Sequence, residues 1–413
     1  MSQPDELQKR LAALSPAQRE LLAQRLRRDA LTSTPSSPSN TSPRIQQHVD
    51  ESHPQTTRAA GMRFSLLFFS DDGAKTSENK YQMLLECAKY ADRHDFAAVW
   101  IPERHFQPFG GLYPNPSVLC AALASITERI QLRAGSVALP LHHPVRVAEE
   151  WSMVDNLSRG RVGVSFASGW HPDDFVFAPE AYEERKEVMF RHIELIQKLW
   201  SGEAVSFTGT NGREVEVRTL PRPVQPRLPV WITSSGSAAT WVRAGEIGAN
   251  ILAGLMGDTF EGLADKIKLY RQSLARHGFD PASRQVAVML HTFIGGDLEA
   301  VREKVRAPLN GYLRSFMKQT EHLSAEVSGL DQHRVTEDDK DALASFAFER
   351  LFNTYSLLGT NETCLPVVNR LKDADVDEIA CLVDFGLDGN SVFDGLDNLN
   401  ELRKQCRSDT PPL

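Results

Sequence analysis

From residue 62 onward, short apolar runs alternate with longer stretches of helical period. The pattern is plainest at 130–175, where two β-branched runs, 130–139 and 162–166, read as buried strands. Between them, 144–158 places Val147, Trp151, Val154 and Leu157 at helical spacing, with Pro144 suited to the first turn. The NLSRGR segment at 156–161 supplies the stop and the turn. Such a strand–helix–strand unit lays its two strands parallel. The same pattern predicts strands at 62–69, 96–101, 229–233, 249–253, 286–294 and 378–383. Helices are predicted at 80–94, 115–127, 183–200, 238–246, 260–277 and about 392–406, and a polar, hairpin-like stretch at 203–219. Eight strands alternating with helices predict an α/β fold, the parallel (β/α)8 TIM barrel. A doubly wound open sheet is the alternative, disfavoured because no Gly-x-Gly-x-x-Gly follows the first strand.

Two segments depart from a plain barrel. The insertion at 296–377, between strands seven and eight, carries helical patterns at 300–313 and 342–355 around a charged stretch at 329–340. It leaves the edge of the barrel where ligands bind, so it is either a lid or partner surface, or a peripheral decoration. Ahead of the barrel, which should run over 62–408, residues 1–30 suit a short helical hairpin. Leu7 and Leu11 lie on its first helix, and Ser15-Pro16-Ala17-Gln18 caps a second that bears Leu21, Leu22 and Leu26. This N-terminal helical extension is too small to bury a core, and reads as a docking element or a loosely held extension. Residues 31–61 are Ser/Thr/Pro-rich and read as a flexible linker.

Composition narrows the function classes. At 41% hydrophobic and 24% charged, the 413 residues are those of an ordinary globular protein. A net charge of −8 without a Lys/Arg-rich block argues against a nucleic-acid partner. No apolar run approaches the ~20 residues of a membrane span, and the polar N-terminus is not a signal peptide. The five cysteines are scattered without disulfide or metal-ligand spacing, which favours a reducing, cytoplasmic setting and no metal site.

Candidate chemistry gathers at the C-terminal ends of the strands, the ligand-binding edge of such folds. After the fifth strand, Ser234-Ser235-Gly236-Ser237 opens a helix. Backbone N–H groups there can bind a phosphate, or the turn is an ordinary N-cap with glycine in it. His105, with Arg104 beside it in PERHF, can hydrogen-bond a reacting group or relay protons. The adjacent His142 and His143 point in divergent directions and lack a carboxylate at ligand spacing, so they read as loop packing. His171, Asp173 and Asp174 either orient a substrate or form a solvated turn. Phe68, Phe69, Phe106 and Phe109 either line an apolar substrate pocket or form barrel-top core. Asp384 is a substrate-site candidate by its position at the end of the eighth strand.

Laid out in order, VWIPERHF at 99–106, NPSVLCAALA at 115–124, SVALPLHHPVRVAEEWSMVDNLSRGR at 136–161, LPVWITSSGS at 228–237 and GANIL at 248–252 carry a resemblance. Residues 62–384 are similar to the bacterial luciferase-like flavin monooxygenases. The segment 349–386, the ASGWHPDDF turn and the LSPAQRELLAQRLR helix at 14–27 further resemble monooxygenases of polyketide and nonribosomal peptide assembly lines. The resemblance implies reduced FMN, supplied by a separate flavin reductase, and O2 as co-substrate. It makes Ser234, Ser235, Gly236 and Ser237 the phosphate clamp, with Tyr182 and Arg185 as further phosphate candidates. Ser168, Gly169 and Trp170 would flank the flavin, and a cis peptide at Gly135–Ser136 would press on its ring. His105 and Arg104 would be catalytic. Arg104 replaces the first of two histidines in the light-emitting relatives, and Ala167 stands where those have a reactive thiol. The implied reaction is hydroxylation, or oxygen insertion beside a carbonyl, on a substrate held by an acyl or peptidyl carrier protein. Barrels of this kind resemble homodimers. A deazaflavin-dependent oxidoreductase of the same fold and an inactive docking barrel are the alternatives.

Overall fold

Parallel strands and helices alternate through the computed structural model, which describes residues 61–69, 79–169, 171–234, 236–328 and 337–407. The expected helices at 1–30, nearly all of the expected linker, Trp170 and Ser235 lie outside the described residues. The first half of the barrel comprises β1 (Arg63–Leu67), α1 (Gln82–Arg93), β2 (Ala98–Ile101), α2 (Pro116–Ala124), β3 (Gln131–Ala138), α3 (Pro144–Ser158) and β4 (Val162–Ala167). After α4 (Arg185–Ser201), the strands β5 (Val205–Thr208) and β6 (Glu214–Val217) form the expected hairpin, paired antiparallel. Then come β7 (Val230–Ser234), α5 (Ala238–Glu246), β8 (Asn250–Gly254), α6 (Phe260–Arg276) and β9 (Val286–Ile294). The chain continues with α7 (Leu298–Ser328), α8 (Glu337–Thr354), β10 (Leu357–Gly359), α9 (Asn361–Asp373), β11 (Glu378–Leu382) and α10 (Gly389–Arg407).

The strand order β9-β11-β1-β2-β3-β4-β7-β8 closes on itself through a β8–β9 pairing. Every pairing in this ring is parallel, which makes it an eight-stranded barrel, while β10 adds only to the outer end of β9. Caps fix the helix starts. Asn115 accepts the Val118 N–H ahead of Pro116 in α2, and Thr259 accepts the Gly262 N–H at the start of α6. The stop after α3 is a left-handed pair, Arg159 at φ 59° followed by Gly160 at φ 83°. Inside the barrel, Ser65, Arg133 and Glu378 pack with Trp100 and Trp231, while Phe64, Leu66, Val99, Leu132, Val164 and Ile251 are fully buried or nearly so on the other face of their strands.

The insertion differs from the sequence pattern in extent. The helix expected at 300–313 runs on to Ser328, 31 residues in all, because nothing in 314–328 breaks it. Pro308 is accommodated inside it, packed against Gly386, where an added Cβ would lie 3.5 Å away. The apolar triplet at 357–359 forms the short strand β10. α7 does not stand off the barrel. Its Tyr312 ring lies 4.8 Å from Phe109, 6.2 Å from Phe69 and 4.6 Å from His291, so the insertion forms part of the wall of the mouth.

Candidate active site

The loop leaving β2 carries the densest polar cluster of the mouth. Glu103 is buried, and its Oε2 accepts the Ala138 N–H at 2.8 Å. Its Oε1 accepts from His105 Nε2 at 2.9 Å and from His142 Nε2 at 2.5 Å. Burial alone would raise the Glu103 carboxyl, but the bonds from the two imidazoles and from Ala138 outweigh it and hold it below the usual range. His142 moves the other way. Burial lowers it, yet the bond and charge of Glu103, with Glu150 beyond, leave it raised.

Arg104 points to the other side of the mouth. Its guanidinium lies 5.3 Å over the Phe69 ring and 5.9 Å from Phe109. Burial brings it down to about 10, against the pull of Asp174 and Tyr312, so it stays charged at neutral pH. Asp174 is buried near Arg104, His105 and His171; burial raises its carboxyl against the pull of those three groups. His105 is packed edge-on to Phe177 at 4.9 Å and beside Phe106 at 5.6 Å.

A second feature lies between β4 and β7, which pair with Phe166 opposite Ile232. Ser168 follows the end of β4, and Ser234 ends β7. Beyond Ser234, Gly236 is open, since an added Cβ would meet nothing within 4 Å. Ser237 occupies the N-cap of α5 but makes no side-chain cap bond, leaving its hydroxyl and the first N–H groups of the helix for a ligand. At the start of α4, the buried Tyr182 hydroxyl has no hydrogen-bond partner among the described residues. Arg185 stacks on that ring at 4.6 Å and donates Nη1 to the Tyr182 carbonyl at 2.9 Å. An orphaned buried hydroxyl costs about 1–3 kcal/mol unless a ligand satisfies it. The open Gly236 and the uncapped helix start have the donors that the phosphate of FMN needs, and the Tyr182 hydroxyl is a further buried group without a partner among the described residues. Gly169 sits at φ +73°, and an added Cβ would lie 2.9 Å from the Phe175 ring, so only glycine brings the backbone this close.

The other expected residues divide. The Gly135–Ser136 peptide is cis, with Gly135 facing Trp100 and Leu252. Phe69 and Phe109 meet at 4.9 Å, Phe109 buried and Phe69 partly so. Phe68 does not line an open pocket. It is fully buried in the barrel core, because alternation along the extended chain turns it away from Phe69. Phe106 lies outside the pocket too, 60% exposed at φ 57° and stacked on Phe177 at 5.4 Å. Asp384 is 1% exposed and brackets the mouth from within. Its Oδ1 accepts the Phe69 N–H at 2.5 Å and its Oδ2 the Tyr113 hydroxyl at 2.8 Å, so it holds the end of β1 instead of meeting solvent or substrate.

Sequence reasoning passed over Glu103, although it sits inside the PERHF motif, and gave His142 only a packing role. The pair is invisible along the chain because its partners are 39 positions apart. Tyr312 and His291 were also passed over. The His291 Nε2 has no partner among the described residues, and burial pushes the imidazole down to about 3. A hollow of about 280 Å³ lies at the opposite foot of the barrel, lined by Arg63, Asp92, Asp95, Arg129, Arg133 and Arg403 among others. These charges are already partnered: Arg63 and Arg133 with Glu378, Arg129 with Asp95 at 3.3 Å, and Asp92 with the backbone N–H groups of 128–130, and the hollow is remote from the mouth.

The closed parallel barrel carries an Arg/His/Glu cluster and an open helix N-terminus at its C-terminal mouth, the face on which barrel enzymes place their sites. Residues 62–378 match the model of the luciferase-like monooxygenases, and the chain belongs to that family, one of flavin-dependent monooxygenases. Among relatives, it is 29% identical over 179 residues to the oxygenase component of the flavin-dependent trigonelline monooxygenase of Acinetobacter baylyi. That match covers 42% of this chain and 49% of the relative, so the chain spans about half the length of that protein. It is 26% identical over 298 residues to the 4-hydroxyprotoasukamycin monooxygenase of Streptomyces nodosus subsp. asukaensis, covering 70% and 76% of the two chains. Among solved structures, the monooxygenase RslO1 of Streptomyces bottropensis superposes with a TM-score of 0.66 at 23% identity, covering 82% of this chain and 98% of the other. The oxygenating constituent of 3,6-diketocamphane monooxygenase of Pseudomonas putida, solved with FMN, gives 0.65 at 17% identity, with 84% and 98% covered. An F420-dependent secondary alcohol dehydrogenase gives 0.61 at 16%, with 83% and 98% covered, so the same fold also serves a deazaflavin.

Proposed function

We propose that this chain is the oxygenase component of a two-component flavin monooxygenase, receiving reduced FMN from a separate reductase and using O2 to oxygenate an organic substrate. The observation that carries the reading is the open, uncapped helix start at Gly236 and Ser237 after β7, and the unsatisfied Tyr182 hydroxyl supports it. Bound there, reduced FMN supplies the electrons that activate dioxygen. Ser234, Gly236, Ser237, Tyr182 and Arg185 would hold its phosphate, with Ser235 in the same turn. Ser168, Gly169, Trp170 and the Gly135–Ser136 peptide would bound its ring. Phe69, Phe109 and Tyr312 would keep the mouth dry, and His105 with Arg104 would hold or move protons beside the reacting atoms.

The substrate we infer is a polyketide or peptide intermediate tethered to a carrier protein, hydroxylated or opened to oxygen beside a carbonyl. Supporting this are the likeness of 14–27 and 349–386 to assembly-line monooxygenases and the similarity to the 4-hydroxyprotoasukamycin monooxygenase. A homodimer is part of the same reading. Titration should show FMN binding at least tenfold more tightly than riboflavin, and oxygen uptake only with a reductase present. Turnover driven by NADPH alone, or equal affinity for the two flavins, would refute the arrangement. Mass spectrometry of loaded carrier proteins after incubation with enzyme, reductase and oxygen tests the substrate class.

A further inference from the structure

We propose that Glu103 is a positioning residue that fixes His105 in its Nε2–H tautomer, leaving Nδ1 as the proton acceptor at the barrel mouth, with His142 supplying the charge that balances the carboxylate. This deepens the reading above and rests on it for the identity of the proton donor, but not for the state of the histidines.

An ionised carboxylate only accepts, so both imidazoles that meet Glu103 Oε1 must present a proton at Nε2. The carboxylate is itself anchored by the Ala138 N–H on its other oxygen, three residues after the Gly135 carbonyl of the cis peptide. Of the two contacts, the His142 one is the shorter at 2.5 Å, as expected when donor and acceptor are both ionised. The Glu103 and His142 shifts, the first down and the second up, agree with a carboxylate–imidazolium pair. The nitrogen of His105 that faces the carboxylate is Nε2, so in the neutral ring the proton sits there. Its Nδ1 then carries a lone pair.

The charged groups facing the pair come from three segments of the chain. Arg104 lies on the same loop as His105, Asp174 and His171 follow β4, and Glu150 faces His142 from α3. Asp174 also opposes Arg104, so neither sign of charge accumulates around His105. Packing against Phe177 and Phe106 limits rotation of the ring, so the tautomer is held together with its orientation. In the reaction, a proton leaving an O–H of substrate or co-substrate would pass to Nδ1. The resulting imidazolium would keep its Nε2–H bond to Glu103, and the proton would leave to solvent when the site reopens.

The test begins on the full-length protein without flavin. Nitrogen-15 chemical shifts of labelled histidines, assigned with His105→Gln and His142→Gln variants, should show His105 protonated at Nε2 and bare at Nδ1 at pH 7. His142 should be doubly protonated. In Glu103→Gln, His142 should lose its second proton near neutrality and His105 should become a mixture of tautomers. With reductase and FMN, that variant should lose about 10²-fold in kcat with little change in FMN affinity, and Glu103→Asp should recover part of it. A wild-type His105 protonated at Nδ1, or one whose tautomer and pH profile are untouched by Glu103→Gln, would overturn the proposal. The shifts in the flavin-free protein read it even if FMN proves not to bind. Should Glu103→Gln fail to fold, His142→Gln, which leaves the Glu103–His105 contact in place, must still show the Nε2–H tautomer.

Discussion

Replacing Glu378 by Ala takes away a carboxylate that four groups share inside the barrel. Arg133 donates Nη1 to both oxygens at 3.0 and 3.1 Å, and Arg63 Nη2 lies 3.1 Å from Oε2. Ser65 Oγ donates at 2.7 Å and Trp100 Nε1 at 3.2 Å, while the Arg133 guanidinium lies 4.6 Å from the Trp231 ring and 4.8 Å from the Trp100 ring, which meet edge to face at 5.0 Å. Glu378 and Arg133 are both buried, so after the substitution the guanidinium has neither water nor a counter-charge. Removing one member of such a pair costs about 3–5 kcal/mol. Against a native stability of about 5–15 kcal/mol that is a large share, and the variant should unfold at markedly lower urea. The double substitution Arg133→Met with Glu378→Leu, which removes both charges, should recover most of the loss.

The same site sets a pH dependence. Burial by itself raises the Glu378 carboxyl, but Arg133, Arg63 and the Ser65 bond outweigh it and leave it below its ordinary 4.5. A lowered folded value means that the contribution is complete above about pH 4.5 and is lost as pH falls below it. Glu378→Gln should therefore flatten the acid limb of the stability curve. Urea unfolding followed by far-UV circular dichroism and tryptophan fluorescence, from pH 3 to 8, reads both effects. A loss under ~1 kcal/mol for Glu378→Ala, or a double variant no better than the single one, would refute the reasoning.

Three other outcomes follow from the mouth. Tyr182→Phe removes the orphaned hydroxyl and should weaken FMN by about 10-fold, the size of one hydrogen bond to a charged group, while riboflavin affinity stays level; an equal loss for both flavins would exclude the phosphate role. Gly169→Ala forces a side chain into a left-handed backbone and against Phe175, so it should cost about 1–2 kcal/mol and be detectable by thermal unfolding. His291→Phe should raise stability by about 1 kcal/mol, because it removes an unpaired buried nitrogen from a site walled by Tyr312 and Phe385. The folded His291 value, pushed to about 3 from 6.5, means that its contribution is intact above pH 6.5 and drains away as pH falls toward 3. The variant should lose that slope, and a wild-type slope that persists in it would contradict the assignment.

The chain's own order of apolar and polar residues determined the barrel: eight short runs, the helices between them, the hairpin at 203–219 and the strand ends that open into His105, Ser168 and Ser234. Those features are legible because periodicity, caps and glycine turns act over a few residues. Only the tertiary structure decided that Glu103 joins His105 to His142, that Asp384 locks Phe69 and Tyr113, and that Arg133 is paired with Glu378, 245 positions away. It also turned Phe68 into the core and Phe106 out to the surface, and laid Tyr312 of the insertion over the mouth. The reason is geometric. Closing a barrel brings together side chains whose separation along the chain carries no period, so their pairing, burial and protonation appear only once the strands are in register.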